Sequence, residues 1–367
     1  MRLFSLIVLF FIIFSYANPV AGQAKPDVSA HNAILIEQST GRVLYEKDSH
    51  DKESIASITK VMTAIIAIQS GKMEEKAVAS RKAIYTEGSS IYLEQGEKML
   101  IEDLVYGLML RSGNDAAIAI SEHIGGSEEG FVYLMNQKAR WLGMTNTSFD
   151  NPHGLDSDKH YSTAYDMALL MRYAMQDETF QKISGTTSYR SENRTYSWQN
   201  KNKLLTQLYE NSTGGKTGYT KKTGRTLIST ASKNGMDLIA VTLNGPDDWN
   251  DHISMFEWGF ENYDMKSIAN KGEFHYKRSG SKNLETGIIH KDVLYPLNEN
   301  EEMNIEQKSY LLKQENDGIL GKTIFFLDKN PISEVLIYNG EEKKQEEGFI
   351  SEILSLYQKI IGVHNNG

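Results

Sequence analysis

Residues 56–70 read ASITKVMTAIIAIQS, and Gly71 follows them. Lys60 is the only charge in the segment, and apolar side chains cover almost every face. A helix with that pattern belongs inside a protein, and glycine is a usual helix stop. The neighbouring segments supply what surrounds it. In residues 28–47, two apolar runs joined at Ser39-Thr40-Gly41 predict a β-hairpin. Residues 101–110 and 115–124 predict two helices about the polar corner Arg111-Ser112-Gly113-Asn114, and residues 162–176 predict another. Past Gly214-Gly215 come three strand-like runs, KTGYT, RTLISTAS and MDLIAVTLNG, then a closing helix over 249–263. Strands at both ends with helices between them predict one α+β domain, residues 25–265.

From about residue 266 the long helical periods vanish. ETGIIHKDVLYPL, NIEQKSYLL, KTIFFLD and SEVLIYN alternate between polar turns, which predicts a small β domain over 268–345. At the far end, Phe349, Ile350, Ile353, Leu354, Tyr357, Ile360 and Ile361 share one helix face. That amphipathic helix, within 348–367, has two readings: it lies in a membrane interface through residues 348–361, or it docks on its own domain. At the start, Arg2 precedes an apolar run from Leu3 to Ala17, too short to span a bilayer and followed by small and polar residues. Residues 1–24 are therefore expected to be a signal peptide, cut after Ala24, Ala21 or Gly22. The expected location is outside the cell, at the outer face of the cytoplasmic membrane or in the wall space.

The chain has 367 residues, 39 Lys plus Arg against 48 Asp plus Glu, and no cysteine. The missing cysteines exclude disulfides, a thiol nucleophile and thiolate-held metals. The acidic balance argues against a nucleic-acid partner. His153 and His160 lie near Asp156 and Asp158, but no firm metal-ligand spacing is present, so neither a metal nor a cofactor is expected. The stretches NPHGLD and HYSTA read instead as a structured turn leading into a helix.

Three spacings carry chemistry. Ser57 and Lys60 stand three residues apart on the apolar helix, on one face. Burial disfavours an ammonium and makes a lysine available as a base near neutral pH. Ser57 sits at the helix start, where its backbone N–H lacks an intrahelical partner and can help bind an oxyanion. Ser-x-x-Lys alone is weak, expected about once or twice by chance in such a chain. It also occurs at Ser49–Lys52 and Ser279–Lys282, both in polar surroundings. The second element is Ser112-Gly113-Asn114, at the corner between two apolar helices. The third is Lys216-Thr217-Gly218, which opens a strand, with Gly218 allowing a ligand backbone close approach. A second copy, Lys222-Thr223-Gly224, falls where a hairpin turn belongs.

These elements in this order mark penicillin-binding proteins and class A β-lactamases. With IASITKVMTA, GLMLRSGNDAA, NPHGLD, HYSTAYDMA and GGKTGYT, residues 25–345 resemble the low-molecular-mass penicillin-binding proteins, serine D-alanyl-D-alanine carboxypeptidases. The likeness is greatest to the sporulation-type enzymes of endospore-forming bacilli. It implies a transpeptidase-like domain with an antiparallel sheet flanked by helices, a small β domain and an amphipathic tail. It implies Ser57 as acyl-forming nucleophile, Lys60 as its base and Ser112 as proton relay. Asn114 would hold the substrate backbone, Lys216 and Thr217 its terminal carboxylate, and Ser57 N–H and Tyr219 N–H the oxyanion. The implied partners are a peptidoglycan stem peptide ending in D-Ala-D-Ala and the β-lactam antibiotics. A β-lactamase shares the motifs but is expected to end before a second domain. A catalytically silent wall-binding protein would not need Ser57, Lys60, Ser112 and Lys216 together.

Overall fold

The computed structural model describes residues 24–276, 285–316 and 318–339. All of the expected signal peptide but Ala24, the Ser279–Lys282 pair and the expected tail helix lie outside the described residues. The chain divides into two units between Asp264 and Met265.

The first unit is built on a five-stranded sheet. Its strands are β1 (Asn32–Glu37), β2 (Val43–Lys47), β3 (Ser212–Thr220), β4 (Gly224–Lys233) and β5 (Met236–Leu243). Their order across the sheet is β2-β1-β5-β4-β3, and neighbours run antiparallel. The sheet thus joins chain ends about 200 residues apart in sequence, and β3 forms one edge. Six helices matter here: α1 (Lys60–Gln69), α2 (Ile101–Tyr106), α3 (Asn114–Gly125), α4 (Glu128–Trp141), α5 (Ala164–Ala174) and α6 (Asp248–Asn262).

Every residue of β1 is buried, so both faces of the sheet are covered. Ile34 and Ile36 face the main core, with Ile58, Ile65, Leu104, Ile118, Phe131 and Met167. Leu35 faces the other way, towards α6. A Cβ on Gly259 of that helix would come within 2.9 Å of Leu35 and 2.8 Å of Leu238, so the glycine permits close packing of helix on sheet. Residues 60–67 of α1 are all buried, as an all-round apolar pattern demands. Helices α2, α3, α4 and α5 pack around α1.

The hairpin turns at Gly41 with φ +76°, and α1 stops before Gly71 with φ +73°. The three strands after residue 211 and α6 lie where the runs place them. The first of these strands begins earlier than KTGYT, at Ser212, and so includes both preceding glycines.

The second unit is a sheet structure. Strands β6 (Asp264–Ala269), β7 (Gly272–Tyr276), β8 (Glu285–Ile289), β9 (Val293–Leu297), β10 (Ile305–Asn316), β11 (Ile319–Leu327) and β12 (Asn330–Asn339) follow one another. Five form an antiparallel sheet in the order β7-β8-β12-β11-β10, while β6 pairs with β9. Phe325, Val335, Ile289 and Val293 form a small core. Strands β6 and β7 escape a reading by alternation because their apolar residues are few. Among the described residues, no helix is long and apolar enough to cross a membrane.

Candidate active site

Ser57 lies in a single 3-10 turn, Ala56–Thr59, that tightens the chain just before α1. Ala56 holds a positive φ of 48°, a strained conformation for a residue with a Cβ. The turn is clamped from two sides. Thr59 Oγ1 donates to the Ala56 carbonyl at 2.7 Å and meets His160 Nε2 at 2.7 Å. His160 Nδ1 accepts the Asp150 N–H at 3.0 Å, which leaves the ring proton on Nε2, facing Thr59. On the other side lies Gly154, with φ +88°. A Cβ there would stand 2.0 Å from the Ala56 oxygen.

Lys60 is fully buried, one turn after Ser57. Its Nζ has three partners: Ser57 Oγ at 2.9 Å, Asn114 Oδ1 at 2.7 Å and the His153 carbonyl. Two of these can only accept, so once the amine is neutral they take both its N–H groups and leave its lone pair for the Ser57 hydroxyl, whereas as an ammonium it donates to all three. The amine is held well below the usual lysine range, first by burial and then by the nearby charges of Lys216 and Lys201; Asp115 opposes them. A serine hydrogen-bonded to a neutral, oriented amine is an activated nucleophile.

Asn114 and Ser112 come from the second corner. Helix α2 widens into a π-helical turn over Gly107–Arg111, and Ser112 follows in the left-handed region with φ 65° and ψ 34°. Ser112 is 5% exposed. Its strained backbone ends one helix and lets Asn114 begin α3 two residues on. Asn114 Oδ1 reaches Lys60, Nδ2 donates to the Glu87 carbonyl, and the backbone N–H donates to the Ser89 carbonyl at 2.7 Å. Asp115, also buried, accepts from Ser90 Oγ, Ile91 N and Leu93 N. The loop 87–93 is thereby strapped to the start of α3.

Lys216, Thr217, Gly218 and Tyr219 lie on the edge strand β3. Gly218 abuts the serine turn: a Cβ on it would come 2.9 Å from Ser57 N and 2.4 Å from Thr226 Oγ1. Lys216 is 2% exposed, and burial, then the charge of Lys201, lowers its amine to about 7. Its Nζ donates to the Thr217 carbonyl at 2.7 Å. Tyr219 carries a ring that is largely exposed. The copy Lys222-Thr223-Gly224 occupies the turn between β3 and β4, where Lys222 pairs with Asp158 at 3.0 Å in solvent. At the Ser49–Lys52 pair, Ser49 Oγ bonds Glu46 at 2.7 Å while exposed Lys52 lies over the Tyr161 ring.

Direct hydrogen bonds therefore join Ser57, Lys60 and Asn114, and Gly218 closes against Ser57. Ser112 and Lys216 make no hydrogen bond to Ser57 or Lys60. Several contributors escape a reading of side-chain motifs. His153 acts on Lys60 through its backbone carbonyl, and His160 acts on the serine turn through Thr59. Lys201 and Asp115 act through their charge. NPHGLD and HYSTA mark the first two stretches, but no spacing rule reveals a carbonyl contact.

A family model described as D-alanyl-D-alanine carboxypeptidase, peptidase family S11, matches residues 19–247. D-alanyl-D-alanine carboxypeptidase DacF of Bacillus subtilis is 39% identical over 255 residues, 66% of this chain and 65% of that protein. DacC of Escherichia coli is 34% identical over 261 residues, 64% of this chain and 62% of that protein. The chain thus spans a little under two thirds of the length of these curated relatives. Among solved structures, penicillin-binding protein 5 of Haemophilus influenzae superposes with TM-score 0.74 and 26% identity, over 87% of this chain and 99% of its own. A D-alanyl-D-alanine carboxypeptidase of Mycobacterium tuberculosis superposes with TM-score 0.62 and 31% identity, over 66% of this chain and 95% of its own.

Proposed function

The chain belongs to the S11 family of D-alanyl-D-alanine carboxypeptidases, and on that premise we propose that it removes the terminal D-alanine from peptidoglycan stem peptides through an acyl-enzyme on Ser57. The observation that carries this is the Lys60 amine, fully buried and 2.9 Å from Ser57 Oγ, with its two N–H groups committed to acceptors.

Substrate would lie along the outer edge of β3, whose backbone groups on that side pair with no other strand of the sheet. Its terminal carboxylate would meet Lys216 and Thr217. The Lys216 ammonium also disfavours a second positive charge on Lys60. Asn114 would hold the peptide backbone, and the backbone N–H groups of Ser57 and Tyr219 would take the oxyanion.

The Ser57 hydroxyl proton passes to Lys60 Nζ as Oγ bonds to the penultimate carbonyl carbon. The carbon–nitrogen bond then breaks, and the departing amine gains a proton relayed through Ser112. D-Alanine leaves and an ester remains on Ser57. Water attacks that ester while Lys60 takes its proton, and Lys60 returns the proton to Oγ as the acyl–oxygen bond breaks, which restores the serine and the neutral amine. A β-lactam would acylate the same oxygen as its ring opens. Trimming the stem peptide removes the donor for cross-linking, which places the enzyme outside the cytoplasmic membrane, in wall synthesis. Its likeness to sporulation-type enzymes points to spore cortex.

The test pairs a D-alanine release assay on a D-Ala-D-Ala peptide with mass spectrometry after penicillin treatment. Release of D-alanine and a penicilloyl adduct on Ser57 are expected. An adduct elsewhere, or no release, would overturn the proposal.

A further inference from the structure

Next to the serine site lies a cavity of about 230 Å³ that the mechanism above leaves unused. Its lining includes Ser89, Ser90, Tyr92, Arg111, Trp198 and Lys201. Arg111 directly precedes Ser112, and Lys201 is near enough to Lys60 and Lys216 to influence both amines. The cavity therefore begins at the edge of the chemistry. No carboxylate lines it, although the chain carries a net charge of −9.

Among the described residues, neither of its two cations has an ion-pair partner. Arg111 donates to the Gln199 carbonyl at 3.2 Å, and Lys201 to Ser89 Oγ at 3.1 Å. Both partners are neutral. Trp198 is 2% exposed, and among the described residues its indole N–H has no partner. A buried donor without an acceptor costs free energy, and two adjacent like charges cost more. An anion would relieve the charge repulsion. The wall is also rigid. Asp115 straps residues 90–93, and the Asn114 N–H donates to the Ser89 carbonyl. Tyr92 stands at the rim with φ 60° and a ring 77% exposed, a strained conformation that the surrounding bonds maintain.

We propose that this cavity is a second anion subsite, which takes a free carboxylate of the stem peptide on the acyl side of the cleaved bond. The inference rests on the carboxypeptidase reading. In that reaction a single residue follows the cleaved bond, and its carboxylate goes to Lys216 and Thr217. A second carboxylate can come only from residues upstream. An extended chain advances about 3.3 Å per residue, so a group one to three residues upstream lies within roughly 10 Å of the bond, and Arg111 directly precedes Ser112 of the site. The guanidinium fork suits a carboxylate, with Lys201 as a second point charge.

Two synthetic peptides test this. Both end in D-Ala-D-Ala, and they differ only in whether an upstream residue carries a carboxylate or its carboxamide. Binding is measured to full-length Ser57→Ala protein, which cannot turn them over. The acid peptide should bind at least about tenfold tighter, and that ratio should fall to about threefold or less with Arg111→Gln or Lys201→Gln. It should also shrink between low and high salt, a readout that needs no further variant. Equal binding of the two peptides, or a ratio that both variants and salt leave unchanged, overturns the subsite. Failure of the wild-type protein to release D-alanine from either peptide would overturn the carboxypeptidase reading instead, while the binding ratio would still decide the subsite.

Discussion

Lys60 Nζ lies 2.9 Å from Ser57 Oγ, and its other two partners, Asn114 Oδ1 and the His153 carbonyl, can only accept. The amine is therefore aimed as well as buried. Asn114 and the 151–155 loop come from distant parts of the chain, so three separate segments set one lone pair. The consequences can be measured.

Ser57→Ala should abolish both penicillin acylation and D-alanine release while the thermal transition stays within a few degrees of wild type. The side chain is small and half-buried, so little packing is lost. Ser49→Ala removes only a bond to Glu46 and should leave turnover within about threefold. Intact-protein mass spectrometry with penicillin distinguishes the two.

Gly218→Ala places a methyl group 2.9 Å from Ser57 N and 2.4 Å from Thr226 Oγ1. The edge strand must move away from the serine turn, and a shift of about 1 Å in a catalytic site costs on the order of 10²-fold in rate. Acylation should slow by that factor. Lys222→Ala, in the exposed turn after the same strand, should change it by less than about threefold. Should the turn variant prove the more damaging, the strand has been assigned the wrong role.

The pH profile of kcat/KM should be bell-shaped. Its acid limb reports Lys60, which must lose its proton to act as base; burial places that loss well below the ordinary lysine range. Its alkaline limb reports Lys216, lowered to about 7 in the free enzyme. Above that pH the ammonium that receives the substrate carboxylate is lost, so kcat/KM falls. Lys216→Arg keeps its charge at all accessible pH and should remove the alkaline limb even if the rate drops. An unchanged limb in that variant assigns it to another group.

Acid should weaken the fold before it titrates many carboxylates. His153, His160 and His252 are buried, and burial lowers them to about 3, 4 and 3. The unfolded chain takes up their protons near pH 6.5, whereas the folded chain does not. Their contribution is whole above about pH 6.5 and declines as pH falls, each by up to about 1.4 kcal/mol per pH unit. Urea midpoints from pH 7 to pH 5 should drop steeply. His252 lies between Ser229 Oγ and Thr242 Oγ1, far in sequence from the serine motif. His252→Gln should lower stability at pH 7 but flatten the slope.

Much of this protein can be read from local pattern. The all-round apolar run of residues 56–70 determines a buried helix, and its one charge falls three residues after Ser57. The alternation of RTLISTAS and MDLIAVTLNG determines strands, and Gly41 and Gly71 determine stops. The two copies of KTG can be told apart because one precedes a strand-like run, and lies inside a strand that begins at Ser212, while the other falls at the turn that follows. Each of these depends on residues a few positions apart, where side-chain periodicity and backbone sterics act directly.

Tertiary structure decided the rest, because it depends on groups that share no local pattern. The lone pair of Lys60 is aimed by an amide from α3 and a backbone carbonyl from the 151–155 loop, and no spacing rule encodes a carbonyl. The low affinity of Lys60 and Lys216 for protons comes from desolvation and from the field of Lys201, a residue in an unremarkable polar stretch. The positive φ of Ala56 and Ser112 arises where packing outweighs local preference. Placing Lys216 beside Lys60 required β3 to form the edge of a sheet whose other strands come from both ends of the domain. Only long-range closure of the chain creates that proximity, and with it the electrostatics that lower the Lys60 amine beside Ser57.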